Sequence, residues 1–184
     1  MRKPAIGSGA VNASFVRIAW VWVFQELALA AKSYDIGFTV DAEEADRLDI
    51  SLDVIEAVFS DDDLGNWNGF GLAVQAYQKR ALKVLEWLAD LSKEHGRLIP
   101  VRLVKGAYWD TEVKRAQEQG LDNYPVFTRK VNTDVSYLAC GRFLLDNRNL
   151  FYPQFATHNA NSVAAIATLA GDQGGYEFQR FVEY

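Results

Sequence analysis

The sequence predicts an α/β fold with parallel strands, in the form of a partial (β/α)8 barrel. Strand-like and helix-like segments alternate from residue 34 onward, and consecutive parallel strands need helical crossovers. Nothing resembling GxGxxG follows the first strand, which disfavours a Rossmann fold, although an open doubly wound sheet remains an alternative. At 184 residues the chain is shorter than the roughly 250 of a typical eight-stranded barrel. The chain is therefore short for a complete barrel of eight strands.

The individual elements follow from hydrophobic periodicity. Strands, which are short and rich in β-branched or aromatic residues, are predicted at 34–40, 69–75, 98–105, 150–157 and 176–179, with a possible short one at 124–128. Helices are predicted at 43–59, 81–95, 110–119, 132–145 and 161–170. In the second helix Leu85, Leu88 and Leu91 form an apolar stripe, and Gly96 is placed to end it.

Composition narrows the class of protein. Apolar residues make up 49% of the chain and charged residues 23%, which is typical of a globular domain. The net charge of −5 and the lack of a basic run give no support for a nucleic-acid partner. Cys140 is the only cysteine, so neither an internal disulfide nor a zinc site is expected, and a cytoplasmic location is predicted. Residues 1–3 and the apolar stretch 15–24 only faintly resemble a signal peptide, because Arg17 interrupts the stretch.

Polar residues gather where the predicted strands end. They are Asp41, Glu43, Glu44, Gln75, Lys105, Thr128, Arg129, Lys130, Thr157, His158 and Asn159. Each alone is as readily a helix cap or a solvated loop residue. In a (β/α) barrel, however, all these positions face one mouth, where active sites are built. The repetition after successive strands favours a shared site.

Arg102 and Lys105 share one predicted strand with apolar neighbours. A buried charge is costly unless it is paired, so either a bound anion or an internal ion pair with Asp41 or Glu43 is required. The sequence does not decide between these partners. The two cations of Thr128-Arg129-Lys130 suit a pyrophosphate, but such a short cluster is also typical of a solvated face.

The segment after this strand could contact a planar ligand. Gly106 and Ala107 would allow close backbone approach, and Tyr108 and Trp109 could stack on a ring or simply cover the next helix. His158 could be a general base, a cofactor contact or a helix cap. His95 lies at a predicted helix C-terminus and is assigned no chemistry.

Several motifs resemble one family. They are DAEEAD at 41–46, AYQKR at 76–80, RLVKGAYWD at 102–110, TRK at 128–130, DVSYLA at 134–139 and YPQFATHN at 152–159. They resemble the proline dehydrogenase domain found in the bifunctional proline utilization A enzymes, over about residues 30–179. On this basis residues 1–29 are an unmatched N-terminal segment, and residues 30–184 are a partial proline dehydrogenase barrel.

The resemblance implies a distorted (β/α)8 barrel that holds FAD. It implies oxidation of L-proline to Δ1-pyrroline-5-carboxylate, with membrane quinone as the electron acceptor. In the bifunctional enzymes a separate aldehyde dehydrogenase domain then oxidises the product to glutamate. A parent protein of this kind would be cytoplasmic and could lie peripherally at the inner membrane. No metal is implied.

The resemblance also implies roles for individual residues. Asp41 corresponds to an acid of the substrate pocket, Arg102 to an arginine near the flavin N5, and Tyr108 to an aromatic residue beside the isoalloxazine, so these three are the candidate catalytic residues. The candidate FAD-binding residues are Gln75, Arg102, Val104, Lys105, Gly106, Ala107, Trp109, Thr128, Lys130, Thr157, His158 and Asn159.

The sequence departs from the family pattern at both ends. An upstream active-site lysine in a Lys-Leu-Ser context has no match, residues 1–23 match nothing, and a carboxylate-binding arginine pair beyond residue 179 is missing. We therefore expect a barrel truncated at both ends, and so an incomplete, inactive fragment. Two alternatives are a non-catalytic truncated product or interaction fragment, and a barrel lyase that binds a phosphate-bearing ligand at Arg102 and Lys105.

Overall fold

The computed structural model describes residues 10–180, and the side-chain surroundings from residue 17 onward. The strands are β1 (Phe38–Val40), β2 (Phe70–Gln75), β3 (Ile99–Val104), β4 (Phe151–Ala156) and β5 (Glu177–Gln179). The helices are α1 (Ala10–Ser33), α2 (Leu48–Phe59), α3 (Ala81–His95), α4 (Trp109–Glu118), α5 (Lys130–Asp146) and α6 (Ala160–Ala170). Short 3-10 turns occupy Ala45–Arg47 and Asp62–Leu64.

The five strands form one parallel sheet in the order β1-β2-β3-β4-β5. The register pairs Gln75 of β2 with Val104 of β3, and Leu103 of β3 with Phe155 of β4. Because all strands run the same way, their carboxyl ends meet at one edge of the sheet. This confirms the predicted α/β fold with parallel strands and helical crossovers.

The helices cover the sheet with the apolar stripes that the sequence predicts. In α3, Leu85 and Leu88 are fully buried, and the helix ends at Gly96 with φ of 61°. Such a left-handed C-terminal residue is most easily a glycine. Gly141 lets α5 and α6 approach closely, since a Cβ there would lie 2.5 Å from Cδ1 of Ile166.

Helix α1 continues without a break across residue 30 and packs against α2 and β1. The ring of Phe24 stacks on Phe38 of β1 with 6.0 Å between centroids, and Arg17 pairs with Asp53 of α2 at 3.0 Å. The domain boundary at residue 30 stays a prediction. Among the described residues, no helix is both long and apolar enough to cross a membrane. Residues 1–3, considered as the start of a signal peptide, and residues 181–183 lie outside the described residues.

Three predicted elements differ from the structure. The first strand begins at Phe38 rather than residue 34, because α1 extends to Ser33 and the chain then turns through Asp35 with φ of 50°. The predicted helix 43–59 starts with a 3-10 turn and becomes α-helical only at Leu48.

The predicted strand at 124–128 is wrong. This segment makes one isolated antiparallel bridge between Val126 and Gln78 and pairs with the loop after β2, not with the sheet. The amide of Phe127 donates to the carbonyl of Tyr77 at 2.8 Å. Pro125 has no N–H to donate to a ladder, which is a physical reason why a strand is disfavoured there.

The close approach of β2 and β3 gives a stability prediction. A Cβ at Gly71 would lie 2.2 Å from the carbonyl oxygen of Pro100. We expect Gly71→Ala to lower the free energy of unfolding by about 1–3 kcal/mol or more, because the backbone must move. Gly174→Ala is the control, since nothing lies within 4 Å of its Cβ position, and it should change stability by about 0.5 kcal/mol or less. Urea denaturation of both variants tests this, and equal losses would contradict it.

Candidate active site

A cleft with a volume of about 970 Å³ opens at the carboxyl ends of the strands. We call it the strand-end cleft. It is lined by Asp41, Ala42, Glu43, Ala73, Gln75, Arg102, Val104, Lys105, Gly106, Ala107, Tyr108, Lys130, Ala156, Thr157, His158, Asn159, Gln179 and Arg180. All three candidate catalytic residues and most of the candidate FAD-binding residues therefore line one cavity.

Two candidate FAD-binding residues are not part of this lining in the described structure. The indole Nε1 of Trp109 donates to the carbonyl of Phe127 at 2.9 Å, so the ring is held by the loop that precedes α5. Thr128 is exposed within that same loop. The segment Thr128-Arg129-Lys130 thus leads into α5 and does not end a strand, and Lys130 is its one residue that lines the cleft.

Arg102 lies at the centre of a hydrogen-bonded chain across the cleft floor. Its Nη1 contacts Oδ1 of Asp41 at 3.1 Å, and its Nε donates to Oε1 of Gln179 at 2.8 Å. The ion pair with Asp41 is one of the partners that the sequence left open. The Asp41 side chain is 77% exposed, so solvent screens this pair and its contribution to stability is small.

Lys105 pairs with neither Asp41 nor Glu43 but with Asp134 of α5. Its Nζ lies 2.6 Å from Oδ1 of Asp134, and Nζ of Lys130 lies 3.2 Å from the other oxygen. The hydrogen bond from Lys105 is the main reason why the pKa of Asp134 lies below its ordinary value. Lys105 also lies over the ring of buried Tyr137, with 5.7 Å from Nζ to the ring centroid. The carboxylate therefore holds two cations side by side at the rim.

Gln75 is a buried amide that joins two loops of the cleft. Its Nε2 donates to the carbonyl of Glu43 at 2.8 Å, and its Oε1 accepts from the amide of Ala107 at 3.1 Å. Gly106 has φ of 144°, and a Cβ there would lie 2.4 Å from the ring of Tyr77. The glycine is thus required by the protein's own packing, and the Ala107 amide already has an internal acceptor.

Tyr108 stands over the cleft with its hydroxyl donating to Oε2 of Glu43 at 3.0 Å. This hydrogen bond and the negative charge of Glu43 raise the pKa of the phenol. Tyr108 therefore stays protonated at neutral pH and acts as a hydrogen-bond donor, not as a base.

The loop between β4 and α6 contributes the opposite wall. Oδ1 of Asn159 accepts from the amide of Ser162 at 3.1 Å, which caps α6, and Oγ1 of Thr157 accepts from the amide of Asn159. His158 is exposed and lines the cleft between them. The capping interpretation therefore holds for Asn159, while its side chain also borders the cavity.

Sequence reasoning did not assign Gln179, Arg180 or Asp134 to the site. Gln179 and Arg180 come from the end of the short last strand, where too few residues remain to show an alternating pattern. Asp134 lies four residues after Lys130 on α5, at the spacing that brings helical side chains together. That spacing was the one available signal for it.

Together the fold and the cleft give a candidate active site at the carboxyl ends of a parallel α/β sheet, the place where (β/α) barrel enzymes build theirs. The sequence family model for proline dehydrogenase matches residues 3–182. The chain therefore belongs to the proline dehydrogenase family, a family of oxidoreductases.

Relatives and solved structures agree with this. The chain is 58% identical over 158 residues to the bifunctional protein PutA of Salmonella typhimurium, covering 84% of this chain and 12% of that protein. A structure of proline utilization A with proline bound in remote sites superposes with a TM-score of 0.91 at 56% identity, covering 93% of this chain and 18% of that chain. Proline utilization A from Bdellovibrio bacteriovorus, inactivated by N-propargylglycine, gives a TM-score of 0.83 at 27% identity over 94% of this chain and 18% of that chain. The chain thus spans less than a fifth of these relatives.

The Asp134 contacts give a pH prediction. A lowered folded pKa means that charged Asp134 stabilises the fold above its unfolded pKa, and that this stability is lost as the pH falls through the folded pKa. In Lys105→Met the pKa of Asp134 should rise toward the ordinary value of about 3.9, and this acid-sensitive part of the stability should shrink. Carboxyl NMR titration measures the pKa. In Lys114→Met, which breaks an exposed pair with Glu118, the Asp134 pKa should not move.

Proposed function

We propose that the strand-end cleft binds FAD and that the chain belongs to a protein that oxidises L-proline to Δ1-pyrroline-5-carboxylate. The observation that carries this proposal is the set of four cations around one cavity at the strand ends, namely Arg102, Lys105, Lys130 and Arg180. Membership of the proline dehydrogenase family supports the reaction class. The family's name supports proline as the substrate, and one similar structure, of proline utilization A, holds proline in remote sites, so proline is a ligand of that relative.

The donor set of the cleft fits an anionic dinucleotide. Lys105 and Lys130 lie on either side of Asp134 and are suited to a pyrophosphate, since charge-assisted hydrogen bonds are the strong ones. Thr157 and Asn159 add a hydroxyl and an amide on the opposite wall. Arg102 supplies a cation on the cleft floor. Trp109, held by Phe127, and exposed Thr128 could contact a cofactor only at its periphery.

FAD, when bound, would supply the hydride-accepting chemistry. The chain's own residues would orient the substrate and the cofactor and stabilise charge that develops on them. The guanidinium of Arg102 would stabilise negative charge that develops near it, in a site where Asp41 and Gln179 already fix its plane. Asp41 lies beside Arg102 and would face the substrate amine, and hydride loss requires that this amine be neutral. Catalysis by these residues would therefore be mainly positioning.

Tyr108 would form the aromatic wall of the pocket. Its ring is fixed at the hydroxyl by Glu43 and at the backbone by its place directly after Ala107, whose amide is bound by Gln75. A phenol that stays protonated keeps a neutral, apolar ring face beside a planar ligand. The backbone carbonyl of Glu43 accepts from Gln75, so Gln75 joins the loop after β1 to the loop that carries Tyr108.

The wider setting is also part of the proposal. The Salmonella relative is described as bifunctional, which supports a separate aldehyde dehydrogenase domain in the whole protein. We propose membrane quinone as the electron acceptor and a cytoplasmic protein that contacts the inner membrane peripherally. Reconstitution of the whole protein with quinone-containing vesicles would test this, and proline-dependent quinone reduction is the expected result.

FAD affinity should depend on the cleft cations. In Lys105→Ala one charge-assisted hydrogen bond to the cofactor is lost, which costs about 1.5–3 kcal/mol, or roughly a 10- to 150-fold weaker Kd. Arg102→Ala should weaken binding similarly. The matched control is Lys114→Ala, an exposed lysine of α4 outside the cleft. Flavin fluorescence titration measures Kd. Unchanged affinity in Lys105→Ala would remove Lys105 from the cofactor site.

The 184-residue chain assayed by itself should show no measurable proline dehydrogenase activity. In the described residues the sheet stops at β1 and β5, and each edge strand leaves backbone groups unpaired, whereas a barrel closes by pairing all its strands. The assay follows proline-dependent dye reduction with added FAD, beside an intact proline dehydrogenase domain. Turnover within about tenfold of the intact domain would refute this expectation.

A further inference from the structure

We infer that Gln179, oriented by Glu177, is a positioning residue that sets the direction of the Arg102 guanidinium in the strand-end cleft. The significance of this direction for catalysis rests on the proposed function, but the positioning itself is a property of the chain. Both residues belong to β5, and neither corresponds to a motif that the sequence singled out.

The first step is the contact with Arg102. Oε1 of Gln179 accepts from Nε of Arg102 at 2.8 Å, while Oδ1 of Asp41 lies 3.1 Å from Nη1. A guanidinium is planar, so two contacts at different nitrogens fix both its plane and its rotation in that plane. Asp41 alone would hold only the Nη1 end of the guanidinium. Gln179 holds the Nε end, next to the aliphatic part of the side chain.

The second step is the orientation of the Gln179 amide. Its Nε2 donates to Oε1 of Glu177 at 2.7 Å. A carboxylate can only accept, so it selects the NH2 end of the amide and turns the carbonyl oxygen toward Arg102. A flipped amide would set its NH2 group against a cation. Glu177 therefore selects one of the two orientations of the Gln179 amide, which have nearly the same shape.

The third step is what holds Glu177. Its Oε1 also accepts from Nε2 of Gln154 at 3.0 Å, and its Oε2 accepts from the hydroxyl of Tyr152 at 3.2 Å. Both donors come from β4, whose residue Gln154 pairs in register with Glu177. The carboxylate is thus anchored by the neighbouring strand, and a line of contacts runs from β4 through β5 to Arg102 on β3 and Asp41 after β1.

The test compares two identical chemical changes on adjacent strands. Gln179→Leu removes the acceptor of Arg102. Gln154→Leu removes a donor to Glu177 but no hydrogen bond to Arg102, which is its register partner on β3, and Glu177 keeps its hydrogen bonds with Tyr152 and Gln179. The primary measurement is the ¹H–¹⁵N signal of the Arg102 side-chain Nε–H and its exchange with water, in the chain without cofactor. The signal is assigned from its loss in Arg102→Lys.

We expect Nε–H exchange to accelerate about tenfold or more in Gln179→Leu, and to stay within about twofold of wild type in Gln154→Leu. FAD affinity should fall about five- to tenfold in Gln179→Leu and stay near wild type in Gln154→Leu. Thermal unfolding midpoints measured for both variants separate a general loss of stability from a specific effect on Arg102.

The outcomes distinguish the positioning role of Gln179 from the proposed function of the cleft. An unchanged Arg102 signal in Gln179→Leu, or equal acceleration in both leucine variants, overturns the positioning role. If Nε–H exchange follows the expected pattern but the wild-type chain does not bind FAD, the positioning role is supported and the proposed function of the cleft is contradicted. If exchange follows the expected pattern but FAD affinity is unchanged in Gln179→Leu, Gln179 positions Arg102 as inferred. The direction of the guanidinium then does not matter for the cofactor, which overturns the functional part of the inference.

Discussion

The parallel pairing of β3 with strands on both sides is the constraint on which the rest of the structure depends. β3 lies in the middle of the order β1-β2-β3-β4-β5, so both its edges are hydrogen-bonded. It carries Arg102 within the strand and Lys105 directly after it. Because its neighbours run in the same direction, the ends of the four other strands border the same cleft as these two cations. An antiparallel neighbour would have placed its carboxyl end at the far edge of the sheet.

Carboxylates already pair with the cations of the cleft, and this affects how a ligand would bind. Arg102 contacts Asp41, and Asp134 contacts both Lys105 and Lys130. These side chains are partly exposed, so the pairs add little to stability. Their effect is to fix directions: a lysine has three donors and an arginine five, and one carboxylate contact does not use them all. An anion would therefore meet cations that are already oriented.

The sequence predicted the parts of the structure that depend on local pattern. The alternation of strand-like and helix-like periodicity predicted the parallel sheet. The polar residues after the strands were predicted to lie together because the carboxyl ends of parallel strands share one edge of the sheet. The strand at 124–128 failed because a short apolar run does not specify its partner, and this run pairs with the loop after β2. Gln179 was missed because its contact with Arg102 spans a separation that no local pattern records.

The AYQKR motif shows why a residue can matter to a cleft without lining it. Tyr77 is buried, and its ring occupies the space that a side chain at Gly106 would need, so it fixes the backbone between Lys105 and Tyr108. Arg80 reaches the other way, to the carbonyl of Ala45 at 2.9 Å, beneath the loop that carries Asp41 and Glu43.

The same motif also binds the segment before α5. The backbone of Lys79 pairs with Pro125, and its side chain contacts Asn123 at 2.6 Å. The loops after β1 and β3 and the segment before α5 are thus all attached to the turn after β2. With Gln75 directly before it, this turn joins the loops after β1 and β3, which form one side of the cleft, to the segment before α5. Because these loops are attached to one short turn, their side chains, which come from distant parts of the sequence, are already in place for a ligand. Binding then requires little reorganisation of the loops.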